Sequence, residues 1–362
     1  HFPGSISGGS FRERSVRKNC RNTGRRRYGR MRKILNQPDK AVPEMLSGMA
    51  KAHAGIIEVL PGTQAVVRAD APVRGKVALI TGGGSGHEPA HGGFVGKGML
   101  DAALAGAVFC SPPLDDAIAS LERVDGGAGV LFIIKNYTGD ILLFDMAEEE
   151  AADRGIPVRK ALVADDVAVD DREGTTGRRG VAGTVLVHKI AGAMADRGAS
   201  LDDVHRVAMK VIENVRTMGM ALTPCLVPGR DKPNFELAPG EMEIGIGIHG
   251  EPGVRREPLK SAREIVSEMM DRITGDLPFK AGDRVVAMVN GMGATPLMEL
   301  YVIYNEVESY LAGKGIAVAR PMVGEYMTSL EMAGFSITLL RADDELLSLF
   351  DHPCAAPAWR QA

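Results

Sequence analysis

The sequence predicts an α/β protein of two α/β domains with largely parallel central sheets, and three observations carry that prediction. Short apolar runs rich in Val, Ile, Leu and Ala alternate with segments whose apolar residues recur at helical spacing. The run Gly129-Val130-Leu131-Phe132-Ile133-Ile134 is apolar throughout, as befits a central strand covered on both faces of a parallel sheet. The chain has 362 residues and 45% hydrophobic content, enough for two packed cores without staples. The expected division is 31–214 and 215–362, with a substrate site between the strand ends of both.

Residues 1–30 are set apart by charge: nine Lys or Arg and one acid, Glu13, give +8, against −11 over the remainder. This segment has no apolar stretch for secretion and little amphipathic pattern for import, and composition becomes ordinary from Met31. It reads as a disordered extension without function rather than a nucleic-acid arm, despite Arg25, Arg26, Arg27 and Arg30. Four widely separated cysteines with no CxxC argue against a disulfide framework or zinc site and fit a reducing cytoplasm. No apolar run approaches the ~20 residues of a membrane span.

Val42, Met45, Leu46 and Met49 space a first helix, with Pro43 in its opening turn. Residues 56–60 and 65–68 are short strands around Pro61-Gly62, and residues 76–80 form another. That strand is expected to stop at the glycines of 82–86, a loop whose positive φ and bare N–H groups would wrap a small polar ligand. His87 and His91 follow at once. Two phosphate-binding templates fail here. A dinucleotide fingerprint needs glycine where His87 or Pro89 stands, and a P-loop ending at Gly96-Lys97 needs glycine at His91 and a hydroxyl at Gly98.

Residues 107–110 form a strand closed by Ser111-Pro112-Pro113, and Leu114, Ile118 and Leu121 space a helix. The central strand 129–134 delivers Lys135-Asn136-Tyr137-Thr138-Gly139-Asp140, then a helix over 141–154. Parallel sheets gather ligands at strand carboxyl ends, so this segment should lie beside the His87 loop. Asp140 either caps the helix or acts on a substrate, and Lys135 is either solvated or part of the site. A strand over 158–163 precedes Asp165, Asp166, Asp170 and Asp171, read as solvated acids rather than magnesium ligands. Helices over 181–195 and 201–217 close the first half.

The second half opens with a strand over 221–227, a proline-rich join, and a strand over 241–248 with glycine at alternate places, where a ligand or another backbone comes close. It delivers His249-Gly250-Glu251-Pro252-Gly253, which echoes Gly86-His87-Glu88-Pro89. One histidine alone is more often structural; two on glycine-flanked strand ends point to a site. A helix over 258–273, a strand over 284–289, a helix over 297–311, a strand over 335–340 and a helix over 344–350 complete the chain.

Seven segments carry a family resemblance: Ala69-Asp70-Ala71-Pro72-Val73, Thr81-Gly82-Gly83-Gly84-Ser85-Gly86-His87-Glu88-Pro89, Ile133-Ile134-Lys135-Asn136-Tyr137-Thr138-Gly139-Asp140, Gly177-Arg178-Arg179-Gly180-Val181-Ala182, Gly247-Ile248-His249-Gly250-Glu251-Pro252-Gly253, Gly293-Ala294-Thr295-Pro296-Leu297 and Gly334-Phe335-Ser336-Ile337-Thr338-Leu339-Leu340. In this order, from Met31 to about Pro357, the chain resembles the dihydroxyacetone kinase K subunit. The first 30 residues match nothing in the family, and the join 274–282 looks shorter than in some members.

The resemblance implies that His249 forms a covalent hemiaminal with the ketone carbon of dihydroxyacetone, with His87 and Asp140 beside the substrate as its proton-handling groups. Gly84, Ser85 and Gly86, by their backbone groups, and Lys135 would hold the remaining hydroxyls. No metal or nucleotide is expected on this chain. Mg²⁺ and ADP or ATP are expected on a partner L subunit, fed by a phosphotransferase M subunit in a phosphoenolpyruvate-dependent system. The resemblance also implies a cytoplasmic homodimer with no nucleic-acid or membrane partner. A kinase subunit for another short ketose such as erythrulose, and a dihydroxyacetone-sensing regulator without transfer, are the alternatives.

Overall fold

The computed structural model describes residues 33–169 and 177–362. After helix α1 (Ala41–Ala52) come strands β1 (Ile57–Val59), β2 (Ala65–Arg68), β3 (Ala78–Ser85) and β4 (Ala102–Val108). Helix α2 (Leu114–Val124), strand β5 (Val130–Lys135), helix α3 (Thr138–Asp153) and strand β6 (Val158–Val163) follow, then helices α4 (Thr184–Asp196) and α5 (Leu201–Asn214). The six strands form one sheet in the order β1-β2-β4-β3-β5-β6. β4, β3, β5 and β6 run parallel, and the β1–β2 hairpin joins antiparallel at one edge.

The second half contains β7 (Val215–Ala221), β8 (Glu241–Ile244), β9 (Arg255–Pro258), α6 (Ala262–Asp276), β10 (Arg284–Gly291), α7 (Leu297–Gly313), β11 (Ala317–Gly324), β12 (Gly334–Arg341) and α8 (Asp344–Phe350). Its sheet runs β11-β10-β12-β7-β8-β9. Here the expectation of a largely parallel sheet is corrected: only β10–β11 is parallel, and the other four pairings are antiparallel. Hydrophobic pattern reports burial on two faces and carries no strand direction, so the apolar runs of 284–289 and 335–340 fit either arrangement. β9, short of apolar residues, and β11, interrupted by Arg320 and Pro321, were not among the expected strands. The strand expected over 221–227 is not formed beyond Ala221: β7 occupies 215–221 instead, taking residues 215–217 from the end of the expected helix, and the strand expected over 241–248 ends before Gly245, which has φ +83°.

The apolar strands serve two cores each. Val130, Phe132 and Ile134 of β5 pack with α2 and α3 on one face, while Leu131 and Ile133 enter a central cluster with α4, α5 and α8. In β10, Val286 and Met288 join that same cluster from the other side, while Val285, Ala287 and Val289 pack with α6 and α7. The central helices are therefore shared by the two sheets, and this shared layer holds their strand ends together. A terminal hairpin, β13 (Cys354–Ala355) with β14 (Arg360–Gln361), returns to the first half, where Ala355 bridges Lys97.

The glycine stretch is also corrected. Gly82, Gly83 and Gly84 continue β3 as extended, buried strand, and only Gly86 turns to positive φ, at +103°. Close approach explains the glycines: a Cβ on Gly84 would lie 2.6 Å from the Phe109 and Cys110 backbone, and one on Gly83 would lie 2.3 Å from Lys135 Nζ.

Asp140 is not the helix cap. Tyr137 occupies the cap position of α3, and Asp140 sits in the first turn with its carboxylate turned to Ser111 and Lys135. Asp165 and Asp166 are buried rather than solvated. Asp165 accepts from the backbone N–H of Val181 and Gly183, and Asp166 pairs with Arg179. Asp170 and Asp171, like residues 1–30, lie outside the described residues. Among the described residues, no helix is long and apolar enough to cross a membrane.

Candidate functional site

His87 follows the end of β3 and is fully buried. Its Nδ1 lies 2.8 Å from the carbonyl oxygen of Thr328. A carbonyl only accepts, so Nδ1 carries the hydrogen and Nε2 keeps a lone pair. That Nε2 is buried with no partner among the described residues. Burial, reinforced by His249 and Lys135, holds the ring well below the usual imidazole range, so it stays neutral. Phe109, at φ +59°, stacks on it with centroids 5.0 Å apart. An aromatic residue in the left-handed region is an outlier that surrounding structure must enforce.

His249 lies in the turn after β8, and its ring meets three others edge-on: Tyr137 at 4.7 Å, His87 at 4.8 Å and Phe109 at 5.2 Å. Its Nδ1 lies 2.7 Å from Glu251 Oε1, while Glu251 Oε2 accepts its backbone N–H at 2.9 Å. Burial pushes the Glu251 carboxyl up, but the His249 hydrogen bond and charge, with Arg179, outweigh it and hold Glu251 at about 2. The ionised carboxylate takes the Nδ1 hydrogen and leaves the Nε2 lone pair free for bonding. A cleft of about 690 Å³ opens onto His249, lined also by Phe109, Cys110, Arg230 and Asn234. Asn234 fixes the turn by donating to the His249 carbonyl at 2.6 Å.

Lys135 closes β5 and is buried. Its Nζ lies 3.6 Å from Asp140 Oδ2 and 5.9 Å from the centre of the Tyr137 ring, which links this pair to His249. Ser111 donates to Asp140 Oδ1 at 2.5 Å. Burial pulls the Lys135 ammonium down while Asp140 opposes that pull. The arrangement thus offers a carboxylate base, a cation beside it, and two imidazoles that each keep a lone pair on Nε2.

Of the residues singled out from sequence, His87, the Lys135 and Asp140 pair and His249 come from three different segments and gather here. Ser85 is placed differently: its hydroxyl donates to the Gly106 carbonyl at 2.7 Å inside the sheet. The Gly86 N–H is taken by the Glu88 carboxylate at 3.1 Å, and Gly84 packs against the backbone of Phe109 and Cys110. Tyr137, Phe109, Ser111 and Thr328 carry no spacing signal and were not singled out, although Tyr137 lies inside a quoted segment. Glu251 had a usable one, its place two residues after His249.

The Dak1 domain model matches residues 47–358. The chain belongs to the Dak1 domain family. It is 50% identical over 330 residues to the PTS-dependent dihydroxyacetone kinase 1, dihydroxyacetone-binding subunit DhaK of Listeria innocua, covering 91% of this chain and 100% of that one. The corresponding PEP-dependent subunit of Escherichia coli is 46% identical, with 91% and 99% covered. Two solved structures superpose well. The dihydroxyacetone kinase operon co-activator Dha-DhaQ gives a TM-score of 0.84 at 38% identity, over 88% of this chain and 99% of that one. The dihydroxyacetone kinase of C. freundii gives 0.83 at 36% identity, over 91% and 60%. The α/β reading and the resemblance drawn from the motifs both agree with these matches.

Proposed function

We propose that this chain captures dihydroxyacetone as a covalent hemiaminal on His249 and presents its primary hydroxyl to a phosphoryl donor carried by a separate L-type subunit. The observation that carries the reading is the His249–Glu251 pair, facing a neutral His87 whose Nε2 has no partner among the described residues, within a ring-lined site. The Nε2 lone pair forms the bond to the ketone carbon as the carbonyl π pair moves to oxygen. The oxygen gains one proton and Nδ1 loses one by way of Glu251, so the adduct is neutral. Glycerol has no carbonyl and is refused, and a small mobile triose is fixed for reaction.

His87 Nε2 accepts from a substrate hydroxyl, and Asp140 takes the proton of the primary hydroxyl as its oxygen attacks phosphorus. The Lys135 ammonium stands beside it, with Nζ 3.6 Å from Asp140 Oδ2. Mg²⁺ and the ADP or ATP phosphates belong, in this reading, to the L-type partner. An M-type phosphotransferase returns a phosphoryl group to the ADP on that partner, and the working form is a cytoplasmic homodimer. A second reading, a dihydroxyacetone sensor without transfer, is favoured by the match to the operon co-activator; erythrulose remains the rival substrate.

The test is a crystal soaked with dihydroxyacetone, joined to a turnover assay with an L-type partner and ATP on dihydroxyacetone and erythrulose. Continuous density from His249 Nε2 to the central carbon, with turnover on dihydroxyacetone, supports the kinase reading. The adduct without turnover on either ketose moves the chain to the sensor class. Faster turnover on erythrulose reassigns the substrate, and ligand lying free beside His249 overturns covalent capture.

A further inference from the structure

Behind Lys135 lies a row of two buried histidines that the chemistry above leaves unused. Lys135 Nζ is 3.0 Å from His91 Nε2, and His91 Nδ1 is 3.0 Å from His188 Nε2. His91 comes from the segment after β3 and His188 from α4, and their rings meet edge-on at 5.2 Å. The far atom, His188 Nδ1, is buried with no partner among the described residues.

We propose that His91 and His188 are positioning residues: they form a one-way row of hydrogen bonds that holds Lys135 as an ammonium donor beside Asp140. An ammonium has three donors and no lone pair, so Lys135 must give to His91 Nε2. A neutral His91 then has its single hydrogen on Nδ1 and gives it to His188 Nε2, which puts the last hydrogen on His188 Nδ1. The opposite polarity needs Lys135 as a neutral amine. That would leave the buried Asp140 carboxylate without the cation 3.6 Å away. Both rings are kept neutral by burial and by the Lys135 charge, His188 at about 3. The ionisable groups facing Lys135 are Asp140 on α3, Tyr137 at its start, His87 and His91 after β3, His188 on α4 and Glu251 across the site.

This inference rests on the proposed role of Asp140 as base, and its test separates the two. In His188→Leu, His91 loses its acceptor and can turn an N–H toward the ammonium. Turnover on dihydroxyacetone with an L-type partner and ATP should then fall about tenfold at nearly constant KM, the loss of roughly one hydrogen bond to a charged group. The alkaline limb of the kcat profile should move to lower pH, and His188→Gln, which retains an acceptor, should restore both. A Gln variant no better than Leu, or an unmoved alkaline limb, overturns the proposal.

Ring ¹⁵N NMR of the unmodified protein decides the matter even if the variants misfold or the wild type transfers no phosphate. Hydrogen on Nδ1 of both rings, with coupling across the His91–His188 bond, is expected. Hydrogen on His91 Nε2 overturns the row, whereas an inactive wild type with the expected tautomers overturns only the kinase reading.

Discussion

His87 and His249 arise in similar Gly- and Pro-flanked segments of opposite halves, and their rings meet 4.8 Å apart, yet each Nδ1 faces a different kind of acceptor. His87 gives its hydrogen to the Thr328 carbonyl, which can hold a proton in a hydrogen bond but cannot take it. His249 gives its hydrogen to Glu251, a carboxylate that can relay it. The first ring is therefore fixed as an acceptor at Nε2, while the second can lose its Nδ1 proton as Nε2 forms a bond. Burial sharpens the contrast: His87 is fully enclosed, whereas the His249 side chain is 20% exposed at the cleft. Local sequence alone cannot divide these roles, because Thr328 is 241 residues from His87 while Glu251 is two from His249.

The largest effect expected is at His249. His249→Ala should eliminate the tetrahedral carbon signal that [2-¹³C]dihydroxyacetone gives on binding; a surviving signal would place the nucleophile elsewhere, with His87 first in line. Asp140→Asn should keep that signal and lower turnover by ~10²–10⁴, the usual worth of a positioned base. Near-normal turnover would reduce Asp140 to a partner of Ser111 and Lys135. At His87 the contrast itself is under test. His87→Gln, retaining an acceptor, should lose less than His87→Leu, for which roughly tenfold is expected from one hydrogen bond. Equal losses in the two variants would mean that His87 matters only as a wall of the site.

The smallest effect concerns Glu251 and acid stability. Its carboxyl titrates near 4.5 ordinarily and near 2 in the folded chain. A lowered carboxyl contributes stability in full above the unfolded value, and that contribution drains as pH falls toward the folded one. Thermal unfolding of wild type and Glu251→Gln should therefore converge as pH drops below about 4.5. A gap that stays constant would show that the His249–Glu251 pair does not stabilise the fold.

Much of this molecule is legible in one dimension. The run 129–134 marks a strand covered on both faces because its alternate residues enter two different cores. The His-bearing segments stand out because glycine is concentrated around them, although the reason for glycine at 82–84 is contact rather than turning. A Cβ on Gly83 would displace the Lys135 ammonium, and nothing local reveals that. Likewise Phe109, Tyr137 and Thr328 have no periodic signature, since what recruits them is a partner far along the chain.

The sequence by itself determined the α/β class, most helices and buried strands, and the four polar residues around which the site is built, because periodicity, glycine placement and motif order are properties of neighbours. Only the tertiary structure decided the antiparallel pairing of the second sheet, the hydrogen-bond partner of each histidine and the burial of Lys135 with Asp140. Strand direction, tautomer and desolvation depend on which groups meet across space, and the shared helix layer between the two sheets sets those meetings.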